Sequence, residues 1–313
     1  MGYKIGLDLG GTNSVFGIVD KDGNILKRTS IKTQAYPTAE AYVKAAVEAL
    51  SKIIDEVGGI ETIEAMGIGA PNGNIITGCI EDAPNIAWAH RTRVPLVDMF
   101  SEALDIPVRL TNDANAAAIG EKTFGVAKDM NDFIVITLGT GVGSGIVCNG
   151  KLVYGNDGNA GELGHIIIRR NTRLCGCGRR GCLETYCSAT GVVRTAKEML
   201  TTSTEPTLLR QIPVEQLTSY EIAKAAEKGD KMAQSIYKQT GTLLGEACAE
   251  MMIFSSPEAF IFFGGMAKAG ELLLKHVRKA FEESVMPCFR GKAKFLMSGL
   301  KDSDAAILGA ASL

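Results

Sequence analysis

The sequence predicts a layered α/β protein, and three observations carry that expectation. Short apolar runs alternate with helix-period segments from end to end. A glycine-rich hairpin occurs twice, once near the N-terminus and once in the middle of the chain. Between Ala160 and Ser188 lies a stretch that holds one of the three histidines and four of the eight cysteines. The 313 residues are 46% hydrophobic and 22% charged, a globular composition whose length suggests about two domains.

Charge and targeting exclude several classes. A net charge of -2 makes nucleic acid a poor partner. The chain runs from Met1 straight into the strand-like Tyr3–Leu9, which does not read as a secretion signal. No apolar run reaches the ~18 residues needed to span a membrane. Cysteines without such a signal imply reduced thiols in a cytoplasm. Cys79, Cys148, Cys187, Cys248 and Cys288 read as ordinary thiols, packed as small hydrophobes or on the surface.

The elements follow in order. Tyr3–Leu9 is a strand ending in Asp8-Leu-Gly-Gly-Thr12, and residues 14–19 form a second strand. Asp22-Gly23 then turns the chain into a third, residues 25–31. Gly10 and Gly11 let backbone N–H groups approach an anion closely. Asp8 beside that anion would repel it unless a cation such as Mg²⁺ lay between. The plain alternative is a Gly-Gly hairpin with an Asp cap.

Pro37-Thr38 opens a helix closed by Gly58-Gly59, with Val43, Ala46, Leu50, Ile53 and Ile54 at helical spacing. Residues 65–70 read as a strand, 96–104 as a helix and 108–111 as a strand. Trp88, the only tryptophan, reads as packed, although an aromatic face also suits a sugar ring. Asn112 and Asp113 stand at a strand-to-helix junction. Asp113 is either a helix N-cap or a general base at the carboxyl end of a strand, where α/β sheets place ligands.

Residues 132–138 give a β-branched strand ending in Gly139-Thr-Gly-Val-Gly143, and residues 144–148 continue as a strand that turns back at Asn149-Gly150. The order strand, glycine turn, strand, turn repeats that of the N-terminus, so the chain contains an internal duplication. Helices follow at 189–200, from Ser219, at 231–252 and at 270–285, with strands at 258–263 and 293–297 and a last helix at 303–313. The strand at 258–263 ends in Gly264-Gly265.

In the central stretch, Cys175, Cys177 and Cys182 lie close together and His165 precedes them. Thiolate and imidazole donors in a Cys3His set suit tetrahedral zinc, and a shell filled by protein is structural. A disulfide framework or a redox pair is the alternative, although Cys175-Gly-Cys177 is too tight for the usual CxxC spacing. Glu162 and Glu184 flank these residues.

Taken together, Asp8-Leu-Gly-Gly-Thr12, Pro84-Asn85-Ile, Asn112-Asp113-Ala-Asn-Ala, Gly139-Thr-Gly-Val-Gly143, Gly161-Glu-Leu-Gly-His165, Cys175-Gly-Cys-Gly-Arg-Arg-Gly-Cys182-Leu-Glu184, Phe263-Gly-Gly265 and Gly309-Ala-Ala resemble the ROK family of sugar kinases and related repressors. The resemblance covers essentially the whole chain. It implies two ribonuclease-H-like lobes of the actin, hexokinase and heat-shock ATPase superfamily around a central cleft. The expected division is a small lobe at 1–112, joined by a C-terminal helix at about 301–313, and a large lobe at 113–300 carrying the zinc loop.

The resemblance further implies ATP-dependent phosphorylation of a hexose at its 6-hydroxyl, glucose to glucose 6-phosphate, with Asp113 as general base. Asp8, Gly10, Gly11, Thr12, Gly139, Thr140, Gly141, Gly264 and Gly265 would bind ATP and Mg²⁺. Asn85, Asn112, Asp113, Glu162, His165 and Glu184 would select the sugar, and His165, Cys175, Cys177 and Cys182 would hold a structural zinc. Fructose, mannose, allose or an N-acetylhexosamine remain alternative substrates. A sugar-responsive repressor is the reading from another class. It is disfavoured by the absence of basic character and by a first strand starting at Tyr3, which leaves no room for a preceding DNA-binding domain. A cytoplasmic homodimer or homotetramer is expected.

Overall fold

Residues 2–313 are described by a computed structural model, and strands and helices alternate along them. The first three strands, β1 (Tyr3–Leu9), β2 (Asn13–Val19) and β3 (Ile25–Lys32), form an antiparallel meander. Helix α1 (Ala39–Asp55) follows, capped by Thr38, whose hydroxyl accepts from the Ala41 N–H at 3.3 Å. Gly58 and Gly59 adopt φ of 110° and 98° just past its end, a conformation that stops a helix at little cost in glycine. Strand β4 (Ile63–Ala70) then runs parallel to β1.

Three short strands form a small sheet of their own: β5 (Gly73–Asn74), β6 (Cys79–Glu81) and β7 (Arg93–Val94). Their length puts them below the reach of periodicity. Helix α2 (Leu96–Leu104), strand β8 (Val108–Asn112) and helix α3 (Asp113–Phe124) come next. Strands β9 (Phe133–Leu138), β10 (Val142–Cys148) and β11 (Lys151–Leu152) repeat the opening meander in outline. The remainder is α4 (Glu184–Cys187), α5 (Ala189–Thr202), α6 (Ser219–Glu227), α7 (Lys231–Ser255), β12 (Ala259–Phe263), α8 (Glu271–Ser284), β13 (Lys294–Met297) and α9 (Asp302–Ala311).

The two large sheets share one plan. The first is ordered β3-β2-β1-β4-β8 and the second β11-β10-β9-β12-β13. In each, the first strand has its hairpin partner on one side and parallel crossover strands on the other. Burial follows from that placement. Edge strand β3 alternates between exposed and half-buried residues, whereas central strand β12 is buried almost throughout. The α/β expectation and the internal duplication both find their structural counterpart here.

By compactness the chain divides into two units. One takes the chain up to Met130 together with Gly145–Ala160 and Ser298–Leu313, and the other takes Asn131–Ser144 and Gly161–Met297. This grouping differs from the expected break at 112/113. Helix α3 belongs with the first sheet because it packs on α9 and β4, and the chain passes between units within β10. Glycines make that packing possible. A Cβ on Gly309 would lie 1.9 Å from the Ala116 carbonyl oxygen, and Cβ atoms on Gly6 and Gly67 would lie 2.0 and 1.8 Å from carbonyls of α9. Helix α9 therefore lies backbone-close on β1, β4 and α3.

The core of the first unit gathers Ile5, Leu7, Phe16, Tyr42, Leu50, Ile68 and Phe100. Trp88 belongs to it. Only 7% exposed, it stacks on Tyr42 at 4.7 Å and donates its indole N–H to the Thr33 carbonyl at 3.0 Å. It is thus a packing residue and no sugar platform. In the second unit Phe260, Phe281 and Phe295 pack ring on ring. Cys288, expected as a packed or surface thiol, is exposed. Among the described residues no helix is long and apolar enough to cross a membrane.

Candidate active site

Strands β1, β4 and β8 are parallel, so their carboxyl ends lie at one end of the first sheet. Asp8 pairs with Gly69 in register, and Asn112 pairs with the adjacent Ala70. Asp8 and Asp113 are thereby brought together across β4. Gly69 lets α3 lie close on β4 beside them, since a Cβ there would meet the Ala116 Cβ at 3.0 Å. Burial, and then the nearby Asp113 charge, push the Asp8 carboxyl up to about 6. Asp113 is open to water but crowded by protein, and that desolvation lifts its carboxyl above the usual range against the lowering effect of the Ala114 N–H.

Asp113 does not cap its helix. The cap is Asn112, whose Oδ1 accepts from the Asn115 N–H at 2.9 Å. Asp113 is the first helical residue, with Oδ1 accepting from the Ala114 N–H at 2.8 Å. Capping by its neighbour thus frees Asp113 from the structural role its residue type suggests. The cap occupies one lone pair of the Asn112 oxygen, and the side-chain NH2 can donate to a ligand.

The first glycine turn is held from outside. Thr33 Oγ1 donates to the Gly10 carbonyl at 2.7 Å, Gln34 Nε2 to the Gly11 carbonyl at 2.8 Å, and the Thr33 N–H to the Thr12 carbonyl at 3.0 Å. Gln34 also reaches the Asn85 loop, donating to the Asn85 carbonyl at 2.6 Å and accepting from the Ala87 N–H at 3.1 Å. A Cβ on Gly11 would meet Asn85 atoms at 3.1 Å. Asp8, Gly10, Gly11, Thr12, Asn85 and Asp113 thus belong to one neighbourhood of the first unit.

In the second unit, Gly139, Thr140 and Gly141 form the turn between β9 and β10, where the Gly139 N–H donates to the Gly141 carbonyl at 3.1 Å. The segment after the cysteine stretch lies against it. The Ala189 N–H donates to the Gly139 carbonyl at 2.8 Å and Thr190 Oγ1 to the Thr140 carbonyl at 2.9 Å. Glu184 Oε2 accepts from the Val142 N–H at 3.1 Å. A Cβ on Gly141 would come 2.5 Å from that oxygen, so the carboxylate needs the glycine. Gly264, at φ 99°, passes within 2.7 Å (ideal Cβ) of the Leu138 carbonyl, and Gly265 opens onto free space.

The ligand atoms of His165, Cys175, Cys177 and Cys182 all lie within 4.8 Å of one another. His165 Nδ1 is 3.6 Å from Cys175 Sγ, and Cys177 Sγ is 3.6 Å from Cys182 Sγ. A tetrahedron with Zn–S near 2.3 Å and Zn–N near 2.0 Å has edges of about 3.5–3.8 Å. The donor set therefore fits a four-coordinate ion with every position filled by protein. His165 Nε2 faces Glu162 Oε2 at 3.9 Å, and Cys175 Sγ lies 3.5 Å from Glu184 Oε1. One donor cluster thus touches both flanking glutamates.

Several residues that build these places gave no sequence signal. Thr33 and Gln34 follow β3 and Thr190 sits in the first turn of α5, and only the folded chain shows the carbonyls they hold. Arg173 is buried under the cysteine loop, donating to the Thr185 carbonyl at 2.7 Å and Thr195 Oγ1 at 2.9 Å, and lying 4.2 Å from the Tyr186 ring centre. Asn74, 2% exposed, donates to the Asp157 carbonyl at 2.7 Å and steadies the loop before Ala160.

Twin meander-and-crossover sheets, each with a glycine turn after its first strand, define the α/β class with the actin and hexokinase-like ATPase fold. The ROK family pattern matches residues 4–313, and the chain belongs to the ROK family. It is 36% identical over 313 residues to the glucokinase of Thermotoga maritima, covering 99% of this chain and 96% of that one. The ROK family glucokinase from Streptomyces griseus, solved in complex with glucose and AMPPNP, is 37% identical with a TM-score of 0.82, over 99% and 98% of the two chains. A xylose repressor of Caldicellulosiruptor bescii is 31% identical over 250 residues, covering 79% of this chain and 61% of the repressor.

Proposed function

We propose that this protein is a glucokinase, transferring the γ-phosphoryl group of ATP to the 6-hydroxyl of D-glucose. The observation that carries the reaction chemistry is the carboxylate of Asp113, relieved of capping by Asn112 and raised in basicity at the carboxyl end of β8. Asp113 would take the hydroxyl proton as the sugar oxygen attacks the γ-phosphorus and ADP leaves. Its raised pKa brings it nearer the value a general base needs at neutral pH.

Asp8, with Gly10, Gly11 and Thr12, would hold the metal–phosphate end of ATP. The proximity of two carboxylates supports a cation there, since a divalent ion offsets both the repulsion and the desolvation that raise Asp8. Mg²⁺, when bound, neutralises charge developing on the phosphate oxygens. Gly139, Thr140 and Gly141 would offer backbone N–H groups to the phosphates, and Gly264 and Gly265 would leave room for adenosine.

Asn85, Asn112, Glu162, His165 and Glu184 are the proposed sugar-reading groups, alongside Asp113. Zinc held by His165, Cys175, Cys177 and Cys182 would fix Glu162 and Glu184 and take no part in bond making. Sugars other than glucose stay within reach of such a donor set, because amides and carboxylates read hydroxyl pairs common to many hexoses. A cytoplasmic homodimer or homotetramer completes the reading, and light scattering of the purified protein tests its assembly. The activity is tested by ADP release with Mg-ATP and glucose; failure to turn over glucose would remove the assignment.

A further inference from the structure

In both glycine turns successive carbonyl oxygens are tied down, while the Gly10 and Gly139 N–H groups close their own turns by donating to the Asn13 and Gly141 carbonyls. Three carbonyls of the first turn are held by Thr33 and Gln34, and two of the second by the Ala189 N–H and Thr190 Oγ1. No peptide bond among the described residues is cis. In a trans peptide the N–H points away from the C=O of the same unit. Holding the Gly10 and Gly11 carbonyls therefore turns the Gly11 and Thr12 N–H groups the opposite way. Holding the Gly139 and Thr140 carbonyls does the same for Thr140 and Gly141. Among the described residues, none of these four N–H groups has a hydrogen-bond partner. Each turn thus presents two adjacent N–H groups without a protein partner, donors that an anion can engage.

We infer that Thr190 and Gln34 are positioning residues for the transferred phosphates, each fixing a turn carbonyl so that the next N–H faces ATP. The inference rests on the phosphate-binding reading of the two turns. The pair differ in one respect. Thr190 bonds only within the second unit, to the Thr140 carbonyl at 2.9 Å and Ser188 Oγ at 2.9 Å. Gln34 binds two carbonyls with one amide nitrogen, Gly11 and Asn85, and also accepts from Ala87. It therefore ties a phosphate turn to a loop proposed to read the sugar. A defect at Thr190 touches ATP alone, and a defect at Gln34 touches both substrates.

The test is steady-state kinetics of the full chain with ATP and glucose varied separately, with MgADP and adenosine binding by calorimetry. Thr190→Val should raise KM for ATP about fivefold, the worth of one lost hydrogen bond, and weaken MgADP similarly. It should leave KM for glucose and the affinity for adenosine within about twofold. Thr190→Ser, which keeps the hydroxyl, should restore ATP binding. Gln34→Ala should raise KM for both substrates. An unchanged KM for ATP in Thr190→Val, or equal losses for ATP and glucose, would overturn the inference. Gly141→Ala separates the phosphate role of the turn from the positioning role of Thr190, because its methyl meets Glu184 Oε2 and disturbs the turn itself. A raised KM for ATP in Gly141→Ala beside an unchanged one in Thr190→Val removes only the positioning role. No effect of either substitution removes the phosphate reading of the turn.

Discussion

Replacing Asp113 by Asn isolates the proton-accepting role more cleanly than most active-site changes would. The helix cap is supplied by Asn112, so the start of α3 does not depend on the Asp113 charge. The Asn Oδ1 can still accept from the Ala114 N–H, as the Asp113 Oδ1 does at 2.8 Å. Desolvation raises the Asp113 carboxyl, and its charge in turn raises Asp8, so a neutral amide relieves strain at both positions. Stability should therefore hold or rise slightly. Loss of a general base costs about a hundred- to ten-thousandfold in rate, or about 3–5 kcal/mol of barrier. The assay is ADP release under saturating Mg-ATP and glucose, with thermal unfolding and glucose affinity measured on the same preparation. A fall in kcat of at least a hundredfold, with folding and glucose affinity retained, is the expected result. A variant with near-full kcat would refute the assignment of the base, and a variant that loses folding would refute the separation of cap from catalyst.

Other perturbations follow from the same geometry. Asp8 carries a folded-state pKa of about 6 against an ordinary 3.8, so the folded chain holds that proton more tightly than the unfolded one. The associated stability is present below pH 3.8 and is lost as pH rises through about 6. Above that range the charged carboxyl costs up to about 3 kcal/mol, less whatever water reaches it. Asp8→Asn should accordingly raise the unfolding temperature at pH 8 and not at pH 4 while weakening Mg-ATP turnover, as calorimetry and kinetics across pH would show. Metal analysis should find about one zinc per chain, and its removal by a chelator should lower the melting temperature and raise KM for glucose. Gly67→Ala places a methyl 1.8 Å from the Ala310 carbonyl oxygen, so denaturant unfolding should record a loss of about 3 kcal/mol or more as α9 is displaced.

The parts of this fold that were legible in the sequence are those written in local chemistry. Thr38 and Gly58-Gly59 bound α1, and the apolar run at Ala259–Phe263 announces a strand buried on both faces. The four metal-type donors were legible because few other roles bring those residue types so close in sequence, and they do converge. The three short strands around Cys79–Glu81 were not, because two or three residues carry no period. The grouping of α3 with the first sheet carries no local signal either. Its partner α9 lies almost two hundred residues away, and only the fit of Gly309 against Ala116 reveals the contact. Asp113 was recognised from its place after a strand, but the residue type alone could not separate cap from base. The Asn112–Asn115 hydrogen bond assigns the cap to Asn112 and so removes the capping role from Asp113. Glu184 shows the reverse: read as a sugar ligand from its motif, it also supports a backbone turn through the Val142 N–H.

The chain transfers phosphate from ATP to a hexose, with glucose foremost. A coupled ADP-release assay over glucose, fructose, mannose, allose and N-acetylated hexosamines, with Mg-ATP, tests it most directly. Glucose should show the highest kcat/KM, with glucose 6-phosphate as product. Absence of turnover with every sugar in that panel would contradict it.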